Sequence, residues 1–165
     1  MFVFDSSTLI LLAKTEILDQ FMDNYQKKVV IPQRVFEESC NQKMTFDSLL
    51  IKKRVEEGKI SIRNIKDKNM VAKISNEFGL GSGESEAIVL CLEQKAELIG
   101  LDDRLGINAC KILKIPFTNA LAILIRLYEK GRIDKQRANA ILGRLIYYGR
   151  YSKEFIEIAK MQLGE

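Results

Sequence analysis

The feature that most constrains the fold is an alternation between two hydrophobic periods along the chain. Short apolar runs typical of buried strands recur, and segments with helical spacing of apolar residues separate them. The strand-like runs are Phe2–Phe4, Val29–Ile31, Ile60–Ile62, Glu97–Leu101 and Ile115–Phe117. Because parallel strands are joined by long, usually helical crossovers, this order predicts βαβ units. We therefore expect an α/β fold in which helices cover both faces of a parallel sheet.

The helical segments are predicted from apolar spacing and from end signals. Ser6–Thr8 offer N-caps before the apolar series Leu9–Ala13, and Pro32 suits the first turn of a second helix. Further helices are expected over 44–57, 69–78, from 84 onward, and over 107–113, 119–130, 135–148 and 153–163. We find no internal repeat or linker, so residues 1–165 are predicted to form a single domain with C-terminal helices 119–163 packed on it.

The amino-acid composition excludes several kinds of catalytic site. The chain has 165 residues, 47% of them apolar, enough for a core without disulfides. It has no histidine, which excludes serine and cysteine triads and most catalytic zinc sites. Cys40, Cys91 and Cys110 are an odd number within apolar stretches, which favours reduced core thiols over a catalytic cysteine. No apolar run reaches membrane-spanning length, so a cytoplasmic protein without membrane contact is expected.

Acidic residues follow the predicted strands. Asp5 closes the first strand, Asp102 and Asp103 close the fourth, and Glu38 lies on the helix after the second. Ligands of an open parallel sheet bind beyond the carboxyl ends of its strands, so these side chains are the first candidates for a site.

A further candidate, Glu84, follows the glycine-rich stretch 79–83. It occupies the helix face of Ala87, Ile88 and Cys91, where an apolar residue is expected. A carboxylate near a helix N-terminus also interacts favourably with the helix dipole, so a capping role and a site role both remain open for Glu84. Glu86 lies off that face, which favours a cap or a supporting contact.

Carboxylates gathered in one cleft repel one another unless a cation neutralises them. Oxygen ligands without histidine or cysteine fit Mg²⁺ or Mn²⁺, and such ions activate water for phosphodiester hydrolysis. Competing interpretations fit less well. The stretch 79–83 does not follow a strand, as a dinucleotide-binding loop would. A receiver domain has its acidic pair after the first strand, whereas the pair Asp102 and Asp103 of this chain follows the fourth. An aspartyl phosphatase of the haloacid type needs Asp where Ser7 stands.

Several motifs together resemble the PIN-domain nucleases, in particular VapC-like toxins and their uncharacterised prokaryotic relatives. They are Asp5-Ser6-Ser7, Val30-Ile31-Pro32 with Val35 and Glu38, Gly83 to Ile88, Leu101 to Arg104, and Tyr147 to Ser152. The resemblance spans nearly the whole chain. It implies a three-layer sandwich around four to five parallel strands, with one or two Mg²⁺ or Mn²⁺ ions in an acidic pocket that cuts RNA.

The resemblance also implies roles for individual residues. Those implied to be catalytic are Asp5, Glu38, Glu84 and Asp103, and those implied to bind metal are Asp5, Glu84, Asp102 and Asp103. Ser6, Ser7 and Glu86 are expected to support them, although Ser7 serves equally well as a plain helix cap. The sequence departs from the family pattern at two positions: many relatives have Asp where Glu84 stands, and Thr or Ser where Leu101 stands.

The partners expected from sequence are anionic or protein. Residues 126–160 hold nine Lys and Arg against four Asp and Glu, which fits a polyanionic partner or a solvated helix surface. Arg104 follows the acidic strand end, so it is expected either to bind RNA phosphate or to pair with a nearby acid. The apolar residues of 135–148 are too many for one stripe, which favours a homodimer or a bound partner helix.

Two functions from different classes follow from these observations. The first is a metal-dependent endoribonuclease, which the resemblance extends to the toxin of a toxin–antitoxin pair with an antitoxin protein as partner. The second is a catalytically inactive PIN-like scaffold that binds RNA or a protein. The complete acidic set favours the enzyme.

Overall fold

The computed structural model describes residues 1–40 and 44–164, which form five strands and ten helices. In the first half of the chain the elements are β1 Phe2–Phe4, α1 Ser6–Lys14, α2 Leu18–Tyr25, β2 Val29–Pro32, α3 Gln33–Cys40, α4 Phe46–Glu56, β3 Ile60–Arg63 and α5 Lys68–Phe78. In the second half they are α6 Ser82–Glu93, β4 Leu98–Gly100, α7 Arg104–Leu113, β5 Phe117–Thr118, α8 Ala120–Glu129, α9 Lys135–Tyr148 and α10 Lys153–Gln162.

The five strands form one parallel sheet in the order β3-β2-β1-β4-β5. β1 lies at the centre, and its three residues are completely buried, as expected for a strand covered on both faces. Phe4 is in register with Gly100, so β1 and β4 end side by side. The predicted α/β sandwich with a central parallel sheet is confirmed.

The helices form the outer layers. α1 contacts α3 and α4, whereas α6 contacts α5 and α7 and packs on β1, β2 and β4. α8 packs against α1 and α2, and it also contacts α9 and α10. The C-terminal helices therefore rest on the layer built by the N-terminal ones.

Several element bounds differ from the sequence prediction. α2 was not predicted, and it follows α1 through Glu16, which has a positive φ of 61° without a glycine to signal the break. Pro32 ends β2 opposite Arg63 instead of opening α3, because a strand end tolerates a missing N–H. β5 lies at Phe117–Thr118 and not at 115–117.

Helix starts also differ, because side-chain caps decide them. Asp5 caps α1, so Ser6–Thr8 are helical residues and not caps. Asp103 caps α7, which therefore begins at Arg104 and not at residue 107. Among the residues described, no helix is both long enough and apolar enough to cross a membrane.

Candidate functional site

Asp5 lies at the carboxyl end of the central strand and is completely buried. Its backbone N–H donates to the Gly100 carbonyl at 3.0 Å, which ties the end of β1 to β4. Its Oδ2 accepts from the Ser7 hydroxyl at 2.6 Å, and its Oδ1 accepts from the Thr8 N–H at 2.8 Å. Burial raises the pKa of Asp5 to about 7, against the lowering effect of these hydrogen bonds, and the charge of Asp102 raises it further.

Asp102 follows β4 and stands beside Asp5. One oxygen accepts from the Tyr151 hydroxyl, and the other accepts from the Ala120 N–H at 3.0 Å. Burial raises the pKa of Asp102, and the hydrogen bond from Tyr151 opposes that effect. The completely buried Thr8 hydroxyl lies beside both carboxyl groups and makes no hydrogen bond of good geometry within the described chain.

A second acidic group lies at the start of α6. Glu84 accepts from the Gly81 N–H at 2.9 Å, so the expected capping contact is present. Burial also raises the pKa of Glu84, and the charges of Asp103 and Glu38 add to this effect. Glu84 is therefore a cap that also lies near two other acids, and its role in a metal site stays a prediction.

Asp103 and Glu38 are held by contacts of their own. Asp103 accepts from the N–H groups of Leu105 and Gly106 at 2.7 and 3.0 Å, as the N-cap of α7. Glu38 accepts from the Ser6 hydroxyl at 2.8 Å and from Arg34 at 3.3 Å. Ser6 and Ser7, adjacent in sequence, thus hold acids from two different elements.

Glu86 lies beside the start of α3, near Arg34, Glu37 and Glu38. Burial raises its pKa, and the backbone and charge of Arg34 lower it. It does not line the cavity described next. Its contacts lie at the α3–α6 junction, and a supporting role toward the metal-binding acids stays a prediction.

Glu84, Asp102 and Asp103 line a cavity of about 1130 Å³, whereas Asp5 and Glu38 do not line it. Its polar and acidic lining includes Ser7, Glu84, Asp102, Asp103, Asn108 and Asn119, its basic lining is Lys14, Arg104, Lys111 and Arg150, and its apolar lining includes Ile10, Leu11, Leu105, Ile107, Tyr148 and Phe155. The four basic residues are exposed, whereas Asp102, Asp103 and Glu84 are half-buried. The cavity therefore combines an acidic floor with a basic and aromatic rim.

Arg104 lines this cavity as the first residue of α7. Within 1–40 and 44–164 it forms no ion pair, in contrast to the expected alternative of pairing with Asp102. The hydrogen bonds on Asp102 come from Tyr151 and Ala120 instead. Arg104 is thus available to a ligand of the cavity.

The predicted acids gather at one edge of the sheet, but in two subsets. Asp5 lies near Asp102, and Glu84 lies near Asp103 and Glu38. In the described ranges, no three Asp, Glu, Cys or His side chains are grouped closely enough to hold a metal ion among themselves. The sequence predicts that Asp5, Glu38, Glu84 and Asp103 converge on one pocket, close enough to share ions. The described residues contain no ready-made three-ligand cage, so a shared metal site stays a prediction.

These residues fit a divalent cation by their donor chemistry. The donors are carboxylate oxygens, which Mg²⁺ and Mn²⁺ prefer. Burial raises the pKa of Asp5, Asp102 and Glu84, and a bound cation would favour the charged forms of these carboxyls. The Thr8 hydroxyl, which lies beside Asp5 and Asp102, supplies a further oxygen. Mg²⁺ commonly keeps several waters and takes only one or two protein carboxylates, so a closed cage is not required.

Three residues close to the acids or to the cavity were not assigned to the site from the sequence. Lys14 could have been found, because it lies seven residues after Ser7 on the same face of α1. Thr8 was assigned only as a possible cap, although it stands between two acids. Tyr151 meets Asp102 across 49 residues, and no local spacing signals that contact.

The fold and this edge of the sheet define a parallel α/β protein with an acidic pocket at the carboxyl ends of its strands. The family model DUF3368, described as a PIN domain, matches residues 1–165. The chain belongs to the PIN-domain family, whose members are generally nucleases and typically use divalent metal ions. No curated protein and no solved structure matches the chain. Membership of the VapC-like branch stays a prediction.

Proposed function

We propose that this protein is a Mg²⁺- or Mn²⁺-dependent endoribonuclease that hydrolyses phosphodiester bonds of RNA at the acidic floor of the cavity. The observation that carries the proposal is the juxtaposition of half-buried acids with a basic rim in one cavity. Carboxylates suit metal ions, whereas Lys14, Arg104, Lys111 and Arg150 suit the phosphates on either side of a bond to be cut. This juxtaposition of acids and basic residues supports a metal-assisted nuclease.

A bound Mg²⁺ or Mn²⁺ ion would supply an activated water and would stabilise negative charge on the phosphate. The residues that would hold it are Asp5 and Asp102 on one side, and Glu84 and Asp103 on the other. Ser7 and Thr8 fix the two oxygens of Asp5, and Ser6 fixes Glu38. These hydrogen bonds orient the acids before any ligand arrives, which is how supporting contacts favour metal binding.

Single-stranded RNA fits the rim better than a duplex does. Tyr148 and Phe155 line the cavity next to its basic residues, and both are partly exposed, at 47% and 58%. Aromatic rings beside cations offer stacking surfaces to unpaired bases. The proposed substrate is therefore an unpaired stretch of RNA.

The experiment is cleavage of a mixed RNA pool with Mn²⁺ or EDTA, using wild type and Asp5→Asn. We expect cleavage only by wild type with Mn²⁺, because the variant loses one ligand charge while Thr8 N–H can still be satisfied by its amide oxygen. Asp23→Asn is the matched control, since it makes the same change at an exposed site on α2. Cleavage by Asp5→Asn at the wild-type rate would show that the activity does not come from this site.

The second candidate is a PIN-like scaffold that binds RNA without cutting it. The observation in its favour is that no three described carboxylates are grouped for a metal ion. This candidate predicts RNA retention by wild type with no cleavage in Mg²⁺ or Mn²⁺. Binding that is equal in EDTA and in Mn²⁺, with no cleavage products, would decide for the scaffold.

A further inference from the structure

Tyr151 reaches the acidic floor from the C-terminal part of the chain. It lies in the short connection between α9 and α10, and its hydroxyl donates to Oδ1 of Asp102. The Ala120 N–H at the start of α8 holds Oδ2 of the same carboxylate at 3.0 Å. Two elements outside the β1–α7 region therefore fix both oxygens of one acid.

Packing also holds the ring of Tyr151 in place, in addition to this hydrogen bond. A Cβ placed on Gly149 would lie 2.4 Å from Cε2 of Tyr151, so the ring lies directly on the backbone where α9 ends. The ring is half-buried and packs against the hydrophobic core. Because Gly149 has no side chain, the phenol can lie flat enough to point its hydroxyl at Asp102.

We propose that Tyr151 is a positioning residue that orients the Asp102 carboxylate for a divalent cation shared with Asp5. Each carboxylate oxygen has a second lone pair after its hydrogen bond is made, and the contacts from Tyr151 and Ala120 set where those lone pairs point. The inference rests on the proposed metal-dependent function. It makes the α9–α10 connection part of the site, whereas the acids themselves come from β1, α3, α6 and the β4–α7 turn.

The alternative is that Tyr151 only ties α10 to the body of the protein. The two cases differ in what loss of the hydroxyl changes. A tether contributes to stability alone, whereas a positioning residue also contributes to cation affinity. Loss of an outer contact to a ligating group commonly weakens metal binding about 10- to 100-fold.

The test is Mg²⁺ binding by isothermal titration calorimetry to wild type, Tyr151→Phe and Tyr147→Phe. Tyr151→Phe keeps the ring over Gly149 and removes only the hydroxyl. Tyr147→Phe makes the same change at a tyrosine that is 81% exposed and outside the cavity lining. We expect about 10- to 100-fold weaker binding for Tyr151→Phe and unchanged binding for the control.

A spectroscopic readout makes the result independent of the variant's stability. The chain has five tyrosines and no tryptophan, so its near-ultraviolet absorbance reports tyrosine without overlap. We expect Mg²⁺ to perturb the tyrosine absorbance of wild type, because Asp102 accepts from a phenol, and we expect Tyr151→Phe to lose that difference spectrum.

The outcomes separate the two proposals. Mg²⁺ binding of equal affinity in wild type and Tyr151→Phe overturns the inference and leaves the proposed function standing. Binding by wild type without a tyrosine difference spectrum also overturns it. If wild type binds neither Mg²⁺ nor Mn²⁺, the metal-dependent function itself falls, and the inference falls with it.

Discussion

At the scale of single residues, the burial of Asp5 and its proposed metal binding favour opposite protonation states of its carboxyl group. Asp5 is completely buried at the end of the central strand, which disfavours its charged form, and it is the proposed ligand of a cation, which needs that form. Burial raises its pKa to about 7, so in the metal-free protein the carboxyl is protonated below neutral pH and ionised above it.

This conflict predicts the pH dependence of stability in EDTA. The folded pKa of Asp5 lies above its value of 3.8 in the unfolded chain, so the unfolded state holds fewer protons between pH 4 and 7. The free energy of unfolding therefore falls as pH rises from about 4 to about 7 and levels off above that. Asp5→Asn removes the ionisation, and we expect it to be more stable than wild type at pH 8 by roughly 2–4 kcal/mol.

Urea denaturation of both proteins at pH 5 and pH 8 measures this difference. At pH 5 the gap should be smaller than at pH 8, since only about the first third of the interval between the unfolded pKa of 3.8 and the folded pKa of about 7 has then been crossed. The exposed control Asp23→Asn should follow wild type at both pH values. A stability gap of equal size at pH 5 and pH 8 would mean that Asp5 ionisation is not its cause.

Arg104 is the residue on which the RNA prediction is tested. It is exposed at the cavity, and in the part of the chain that the structure describes it has no acidic partner. Arg104→Ala should lower RNA affinity in Ca²⁺ and reduce the salt slope by about one unit, because one phosphate contact is lost. Filter binding across a salt series measures both.

Arg126→Ala is the control for net charge, since Arg126 lies outside the cavity lining and pairs with Glu129 at 3.3 Å. It should lower the affinity less than Arg104→Ala does. Unchanged RNA affinity together with a lower melting temperature for Arg104→Ala would assign a structural role to Arg104.

At the scale of elements, the contact between α3 and α6 sets the position of Glu38. A Cβ on Gly83 would lie 2.1 Å from Oε2 of Glu38, so the carboxylate rests directly on the backbone at the start of α6. Ser6 of α1 donates to that same oxygen at 2.8 Å. Three helices thus meet at one carboxylate, and the absence of a side chain at residue 83 permits this.

Gly83→Ala should therefore separate activity from stability. The added methyl displaces a flexible side chain and not backbone, and alanine favours a helix by about 0.8–1 kcal/mol over glycine. We expect a melting temperature close to that of wild type, with RNA cleavage reduced at least about tenfold because Glu38 is displaced.

Gly143→Ala is the matched comparison, because Gly143 is an exposed helical glycine in α9 with nothing within 4 Å of its Cβ position. It should be more stable than wild type and fully active. Wild-type cleavage by Gly83→Ala would exclude Glu38 in its observed position from the reaction.

At the scale of the whole molecule, the C-terminal helices carry an apolar surface. Leu142 and Leu145 of α9 are buried within the chain, whereas Tyr147 is 81% exposed. On α10, Phe155, Ile158 and Met161 are also exposed. The predicted excess of apolar residues is thus divided between an internal face and an outer one.

We expect this outer face to form a homodimer in solution. Removing exposed apolar side chains from water stabilises association, and charged substitutions there oppose it. Light scattering across a concentration series should report a dimer for wild type and a monomer for Ile158→Glu/Met161→Glu, which leaves the cavity residue Phe155 unchanged. Met70→Glu, an exposed position on α5, should stay dimeric. A monomeric wild type at every concentration contradicts the prediction.

The sequence by itself determined the class of fold and identified the candidate acids. Strand and helix periods are local, so the alternation from Phe2–Phe4 to Ile115–Phe117 predicts a parallel sheet before any long-range contact is known. Since parallel strands end at one edge, Asp5, Asp102 and Asp103 were placed together from order alone. Glu84 was found because a carboxylate interrupts an apolar helix face.

Only the tertiary structure decided how those acids are arranged and held. Three contacts join residues that are distant in sequence: Asp5 lies beside Asp102, Glu38 rests on the backbone of Gly83, and Tyr151 donates to Asp102. Local sequence spacing cannot predict these contacts, because they depend on the paths of the crossover connections and on the directions of the side chains where those connections end. The pKa of Asp5 could not be predicted from the sequence either, since it depends on how completely the folded chain removes water from that carboxyl.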